Sequence, residues 1–222
     1  SRTNNSDVFE WTIGGMGLTG VIVRASIRLR SVNSGWIRQK KIPARDINHA
    51  IEIIEQSSEA TYSVAWIDCL QTGSALGRSI IILGEHANIA ELPAKHQAAP
   101  LRVLQKPKRR LWFYLPSWIL SARNVKFFNA FFYWHSKRKR GTQIVDLYSY
   151  FYPLDTILEW NRMYGRKGFA QFQCVIPLDR ANNGLRELLE CIAENGQGSF
   201  LAVLKRFGPQ TGKFSFPKEG YT

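Results

Sequence analysis

Thr12-Ile13-Gly14-Gly15-Met16-Gly17-Leu18-Thr19-Gly20, followed by Val21-Ile22-Val23-Arg24-Ala25-Ser26-Ile27-Arg28-Leu29, is the stretch from which the architecture is argued. Gly15, Gly17 and Gly20 spell a G-x-G-x-x-G pattern, a dinucleotide fingerprint only when a strand precedes it and a helix follows. The continuation reads otherwise. Val21, Val23, Ala25, Ile27 and Leu29 alternate with Ile22, Arg24, Ser26, Arg28 and Arg30, the period-2 pattern of a half-buried strand. The expectation is therefore a glycine-dense turn feeding a strand, not a Rossmann unit. Missing Cβ atoms permit positive φ there and let backbone N–H groups approach a ligand, so such a turn is still able to hold a flavin or a phosphate by its amides.

Downstream, Pro43 and then residues 44–56 read as an amphipathic helix, with Ile47, Ala50, Ile51 and Ile54 at helical spacing and Asp46 near its start. Residues 61–70 and 78–83 read as antiparallel strands separated by Gln71-Thr72-Gly73-Ser74. Glu91-Leu92-Pro93 opens an irregular stretch. The last third alternates: strand 143–152, helix 155–164, strand 168–176, helix 182–194 with Leu185, Leu188, Leu189 and Ile192 inward, and strand 199–207. The fold class is α+β, an antiparallel sheet covered by helices on one face.

The composition is globular: 222 residues, 45% hydrophobic and 13% aromatic, enough for a sizeable core. Cys69, Cys174 and Cys191 are odd in number and lie in apolar runs, so they read as reduced core residues of a reducing compartment. The polar N-terminus lacks a signal-peptide core, and no apolar run has the length of a spanning helix. The net charge of +13 is very uneven. Between Glu91 and Asp146 no acid occurs, while Lys95, Arg102, Lys106, Lys108, Arg109, Arg110, Arg123, Lys126, Lys137, Arg138, Lys139 and Arg140 all fall inside.

That segment is also aromatic, with Trp112-Phe113-Tyr114, Trp118, Phe127-Phe128 and Phe131-Phe132-Tyr133-Trp134. Basic residues flanking aromatics suit a membrane interface facing anionic lipid. A core-packing insertion with a solvated basic rim fits the spacing equally, and single-stranded nucleic acid would use the same stacking and charge.

Among polar candidates, Gln171 and Gln173 share one face of an expected strand, which reads as a solvated face or as a pocket wall hydrogen-bonding a polyol. Lys205 lies on the face of Leu201, Val203 and Phe207, where its head either snorkels or meets a phosphate or hydroxyl. Trp66 reads as core and Asp68 as a strand-end acceptor. His49, His86, His96 and His135 have no metal-like spacing, so no metal site is assigned. Asp155 and Glu159 read as helix-start carboxylates, not a catalytic pair.

Several motifs together resemble a known family: Gly14-Gly15-Met16-Gly17-Leu18-Thr19-Gly20, Ser63-Val64-Ala65-Trp66-Ile67-Asp68, Tyr152-Pro153-Leu154-Asp155, Glu159-Trp160-Asn161-Arg162, Gly168-Phe169-Ala170-Gln171-Phe172-Gln173, Phe207-Gly208-Pro209 and Ser215-Phe216-Pro217. The chain resembles the decaprenylphosphoryl-β-D-ribose 2′-oxidase family, FAD-dependent enzymes of the vanillyl-alcohol oxidase type. The resemblance implies that residues 1–30 are the C-terminal tail of an FAD-binding domain. Residues 31–222 would be a substrate-binding domain, incomplete at its C-terminus, with a basic aromatic insertion at 101–140.

Gly15, Met16, Gly17 and Ile22 would face the flavin, Met16 standing where such enzymes often carry Asn. Trp66, Leu154, Gln171, Gln173, Leu201, Val203, Lys205 and Phe207 would line the substrate pocket. No catalytic residue is expected within this chain, which would be inactive alone and hold FAD weakly or not at all.

The implied reaction oxidises the 2′-hydroxyl of a polyprenyl-phosphate-linked ribose to a ketone, and a reductase partner completes an epimerisation. The implied setting is cytoplasmic, peripheral at the inner face of the cell membrane through residues 101–140, with no nucleic acid partner. A soluble FAD-linked sugar or aldonolactone oxidase, or a non-catalytic membrane- or nucleic-acid-binding module, are the alternatives.

Overall fold

The structure, a computed structural model, describes residues 1–102, 104, 107–196, 198–209, 213 and 218–222. Lys106 and the Ser215-Phe216-Pro217 motif lie outside the described residues. The longest strand is one that simple alternation passes over. In β1 (Trp36–Ala44), Arg38 and Lys40 share a face with Trp36, Ile42 and Ala44, which blurs the period-2 signal. It nevertheless pairs on both sides.

β3 (Ser79–His86) runs antiparallel to β1 from Ile37↔His86 to Ala44↔Ser79, and β5 (Gly141–Asp146) from Trp36↔Asp146 to Lys41↔Gly141. β2 (Tyr62–Ile67) pairs with the other side of β3, and β8 (Val203–Leu204) follows, giving a five-stranded antiparallel sheet in the order β5-β1-β3-β2-β8. Two smaller ladders complete the strands: β7 (Ile176–Pro177), β10 (Gly220–Tyr221) and β9 (Arg206–Phe207), then β4 (Arg109–Arg110) beside β6 (Ile157–Leu158).

Helices cover both faces of the main sheet, where one covered face was expected. On the first, α2 (Ile47–Gln56) and α6 (Ala181–Glu194) bury Ile47, Ala50, Ile54, Leu185 and Leu189 against Ala65, Ile67, Ile81 and Leu204. On the opposite face, α4 (Ala122–Arg138) lays Phe132 on Trp66 with ring centroids 4.6 Å apart, and α5 (Leu147–Phe151) sets Tyr150 over Gly84. The basic aromatic segment 101–140 thus supplies α4 to the second layer, and α5 follows it in the chain. α1 (Ser6–Thr12) buries no residue, and α3 (Ala94–Gln97) is a single turn in the irregular stretch.

Other expectations change with the local chemistry. Residues 20–32 form no ladder among the described residues, and Val21, Val23, Ile27 and Leu29 are exposed. Alternation marks a chain able to pair but does not supply the partner that its backbone groups need. The strand expected at 143–152 stops at Asp146, whose carboxylate accepts the Ser149 N–H at 3.1 Å and starts α5. Helix α2 starts at Ile47 because Pro43 and Ala44 finish β1, and Asp46 caps it by accepting from His49 N at 2.9 Å.

The helix expected at 155–164 is two 3₁₀ turns, Pro153–Thr156 and Trp160–Tyr164, interrupted by Glu159 at φ 59°. Asp155 and Glu159 therefore share no helix, and Glu159 pairs with Arg110 at 3.0 Å and with Arg162. Of the strands expected at 168–176 and 199–207, only β7, β8 and β9 form. Cys191 is exposed, not core.

Candidate functional site

The edge of the main sheet at β8 brings Leu201, Val203 and Lys205 beside Trp66 of β2. Val203 faces Trp66 across the antiparallel ladder, while Leu204 and Ala65 point to the opposite, core face. The pairing extends beyond β8, since Ile67 N donates to Ala202 O at 3.1 Å. Alternation along 201–205 then puts Leu201, Val203 and Lys205 outward.

Trp66 itself is only 6% exposed, and its indole N–H donates to Phe200 O at 3.0 Å. It holds the Phe200 segment in place and leaves its polar atom committed. Lys205 is pinned by its backbone to Thr222, donating at 2.7 Å and accepting at 2.9 Å, and Gln173 Nε2 donates to Thr222 Oγ1 at 3.3 Å. Gln173 and Lys205 are thus brought to the same residue.

Phe207 lies in β9, half-buried and paired with Gly220. Gln171 stands exposed in a segment without regular structure, and Leu154 is half-buried in its own 3₁₀ turn; neither has a described hydrogen bond into this edge. The two glutamines therefore do not share a strand face, because residues 168–175 form no ladder among the described residues to impose alternation.

An aromatic cluster that pattern reasoning left unassigned backs this edge. The Phe200 ring stacks on Tyr164 at 5.4 Å and meets Phe128 edge-on at 5.8 Å, and Tyr164 lies 4.3 Å from Phe169. Burial pushes the Tyr164 hydroxyl pKa up, opposed by a hydrogen bond with Ser199. The signal for Phe128 and Phe132 was present in the aromatic run of α4, but nothing local pointed that run at residue 200.

Below the cluster sits a buried polar knot. Asp68 accepts from Arg78 Nε at 3.0 Å, from Asn129 Nδ2 at 2.9 Å and from Leu70 N at 3.3 Å, as a strand-end acceptor should. Asn129 also donates to Ser199 O at 3.3 Å, and Cys69 Sγ shares the Ser199 backbone. Burial pushes the Cys69 thiol up, so it stays a neutral packing group.

The arrangement is an apolar ledge of Leu201 and Val203 ending in a lysine head, a glutamine amide and a threonine hydroxyl. Its chemistry suits a ligand with hydroxyls or an anionic group at one end and an apolar remainder.

At the other end of the chain, the glycine turn is a run of tight turns: Gly15 N donates to Thr12 O, Leu18 N to Gly15 O and Gly20 N to Gly17 O. A Cβ on Gly15 would lie 2.2 Å from Trp11 O, which excludes any other residue there. Met16 is 88% exposed at φ 52°, a left-handed conformation in which Asn is favoured, and Gly17 at φ 79° has open space on its Cβ side. Ile22 is exposed beyond them. These residues present one exposed face and enclose no ligand, because the space beside Gly17 and Gly20 is open.

No protein-family profile matches the chain. Over 98% of its length it is 34% identical to decaprenylphosphoryl-beta-D-ribose oxidase of Mycolicibacterium smegmatis, and over 96% it is 26% identical to an uncharacterized protein in the mprA 5′ region of Streptomyces coelicolor. The chain spans 47% of the length of the first relative and 60% of the second. The similarity thus extends along nearly the whole of this chain and about half of that oxidase, with about a third of the aligned residues identical.

Proposed function

We propose, from the resemblance to the decaprenylphosphoryl-β-D-ribose oxidase family along almost the whole chain, that this chain is the substrate-binding part of an FAD-dependent oxidoreductase. The reaction would oxidise the 2′-hydroxyl of a polyprenyl-phosphate-linked ribose to a ketone at the cytoplasmic face of the membrane, with a reductase partner completing an epimerisation. The bound flavin would accept the hydride. Gly15, Met16, Gly17 and Ile22 would offer it one wall.

The observation that carries the reading structurally is the β8 edge. Leu201 and Val203 give a sugar ring and the first isoprene carbons an apolar ledge, and Lys205 stands two residues from Val203 on the same side for the phosphate or a hydroxyl. Gln173 and Thr222 supply directional hydrogen bonds beside it.

The test is turnover by the protein carrying this chain, followed by reduction of an artificial electron acceptor. Polyprenyl-phosphoryl ribose is expected to be oxidised, and free ribose and aldonolactones to be poor substrates. Lys205→Ala is expected to raise KM or lower kcat/KM by ~10-fold or more, since a charge-assisted contact of about 1.5–3 kcal/mol is lost. Equal turnover of free sugars would replace this reading with that of a soluble sugar oxidase.

A further inference from the structure

The outer face of α4 is exposed and unlike the rest of the surface. Phe127, Phe131 and Trp134 recur at i, i+4 and i+7 and so form one stripe along the helix. Phe127 is 76% exposed, and Phe131 and Trp134 are about half exposed. The opposite side of the same helix is spoken for: Val125, Asn129 and Ser136 are buried, and Tyr133 Oη donates to Ala44 O at 3.1 Å. The aromatic stripe therefore does not pack into this chain's own core.

Its surroundings choose the partner. Trp118, 68% exposed, sits at the N-terminal end of the helix, where Asn124 Nδ2 donates to its carbonyl at 3.0 Å. Arg123 and Lys126 flank the first turns and Lys137, Arg138, Lys139 and Arg140 the last, with no acid anywhere from residue 92 to 145. Arg138 lies over the Trp134 ring at 4.3 Å, so its charge is held at the level of the stripe.

We infer that α4 docks flat on an anionic lipid surface, its Phe127-Phe131-Trp134 stripe entering the headgroup boundary and its basic ends meeting lipid phosphates. The helix lies on the bilayer and does not cross it; among the described residues no helix is long and apolar enough to span. Phe128 and Phe132, on the flank of α4, touch Phe200 and Trp66. The β8 edge would then lie about one helix diameter, ~10 Å, from the lipid surface, which is the position a lipid-linked substrate requires. In this respect the inference rests on the functional reading above; the docking itself does not.

The test is co-sedimentation of the purified chain with phosphatidylcholine vesicles and with vesicles containing about 30% phosphatidylglycerol, at low and high salt, with neither flavin nor sugar present. Binding is expected to the anionic vesicles only and to fall with salt. Two variants separate the contributions, both altering exposed residues that leave the sheet contacts intact. Arg123→Gln with Lys126→Gln is expected to weaken binding by more than ~10-fold, and Phe127→Ser with Phe131→Ser and Trp134→Ser to abolish it, each with an unchanged circular dichroism spectrum.

Equal binding to neutral vesicles, no binding to either, or wild-type binding by the triple variant overturns the inference. So does single-stranded oligonucleotide that displaces the chain from anionic vesicles at equal charge. Vesicle binding by the chain with no turnover of the lipid-linked sugar by the protein that carries it would defeat the functional reading alone. Selective turnover without vesicle binding would defeat the docking alone.

Discussion

Tyr150 packs its ring on the face of Gly84, where a Cβ would lie 2.5 Å from the ring, and buries a hydroxyl that has no hydrogen-bond partner among the described residues. Burial first, then the negative charge of Glu85 and the neighbouring Tyr62, push its pKa up to about 12 from 10. The unfolded chain therefore ionises this tyrosine at a lower pH than the folded one does. Its contribution is fully present below pH 10 and is lost as pH rises from 10 toward 12. Tyr150→Phe keeps the packing and removes the unsatisfied oxygen. The variant is expected to be more stable than the parent by about 1 kcal/mol at pH 7, with an advantage that widens above pH 10. Urea midpoints measured between pH 7 and 11 check both parts, and a less stable variant at pH 7 would mean that the hydroxyl has a partner.

At the level of elements, α4 is held to the sheet as much by polar groups as by rings. Asp68 is fully buried, and its carboxylate joins Arg78 and Asn129, so the β2 end, the start of β3 and the middle of α4 meet at one charge. Asp68→Ala leaves Arg78 and Asn129 facing a void and is expected to cost about 3–5 kcal/mol. Asn129→Ala removes one donor while Arg78 and Leu70 N still hold the carboxylate, and is expected to cost about 1–3 kcal/mol. The double variant should cost less than the sum by about 1–2 kcal/mol, because the two share one hydrogen bond. Additive effects in urea unfolding would show that the knot does not act as a unit.

This knot also marks where sequence reading reaches its limit. Helices α2 and α6 were legible because their apolar spacing and the Asp46 cap are local, and β2 and β3 because a turn-rich stretch separates two β-branched runs. Asn129 looked like one polar residue in an aromatic run, since its partner Asp68 lies 61 positions away. The strand expected after Gly20 shows the converse failure: a period-2 pattern that forms no ladder among the described residues. At the site, Leu201, Val203 and Lys205 are all exposed along their segment, while Phe207, expected on the same face, is half-buried in β9. The tie from Gln173 to Lys205 runs through Thr222 and is invisible to periodicity.

At the scale of the whole molecule, the sheet and its two helical layers begin at Ser34: apart from Gly15, no residue before it is buried. Among the described residues, Lys213 pairs with Asp7 and Glu10 of the N-terminal stretch and lies 5.5 Å over the Trp11 ring. Such exposed ion pairs contribute little to stability. Removing residues 1–30 is therefore expected to leave the cooperative thermal transition in place, with Tm shifted by less than about 3 °C, the change that ~1 kcal/mol produces in a protein of this size. Differential scanning calorimetry of the trimmed and intact chains measures it directly. A drop of ~10 °C or more would place the glycine turn inside the cooperative unit of the sheet. The expected small shift would instead leave it as an independent edge, available to form one wall of a cofactor site without weakening the layer that carries Leu201, Val203 and Lys205.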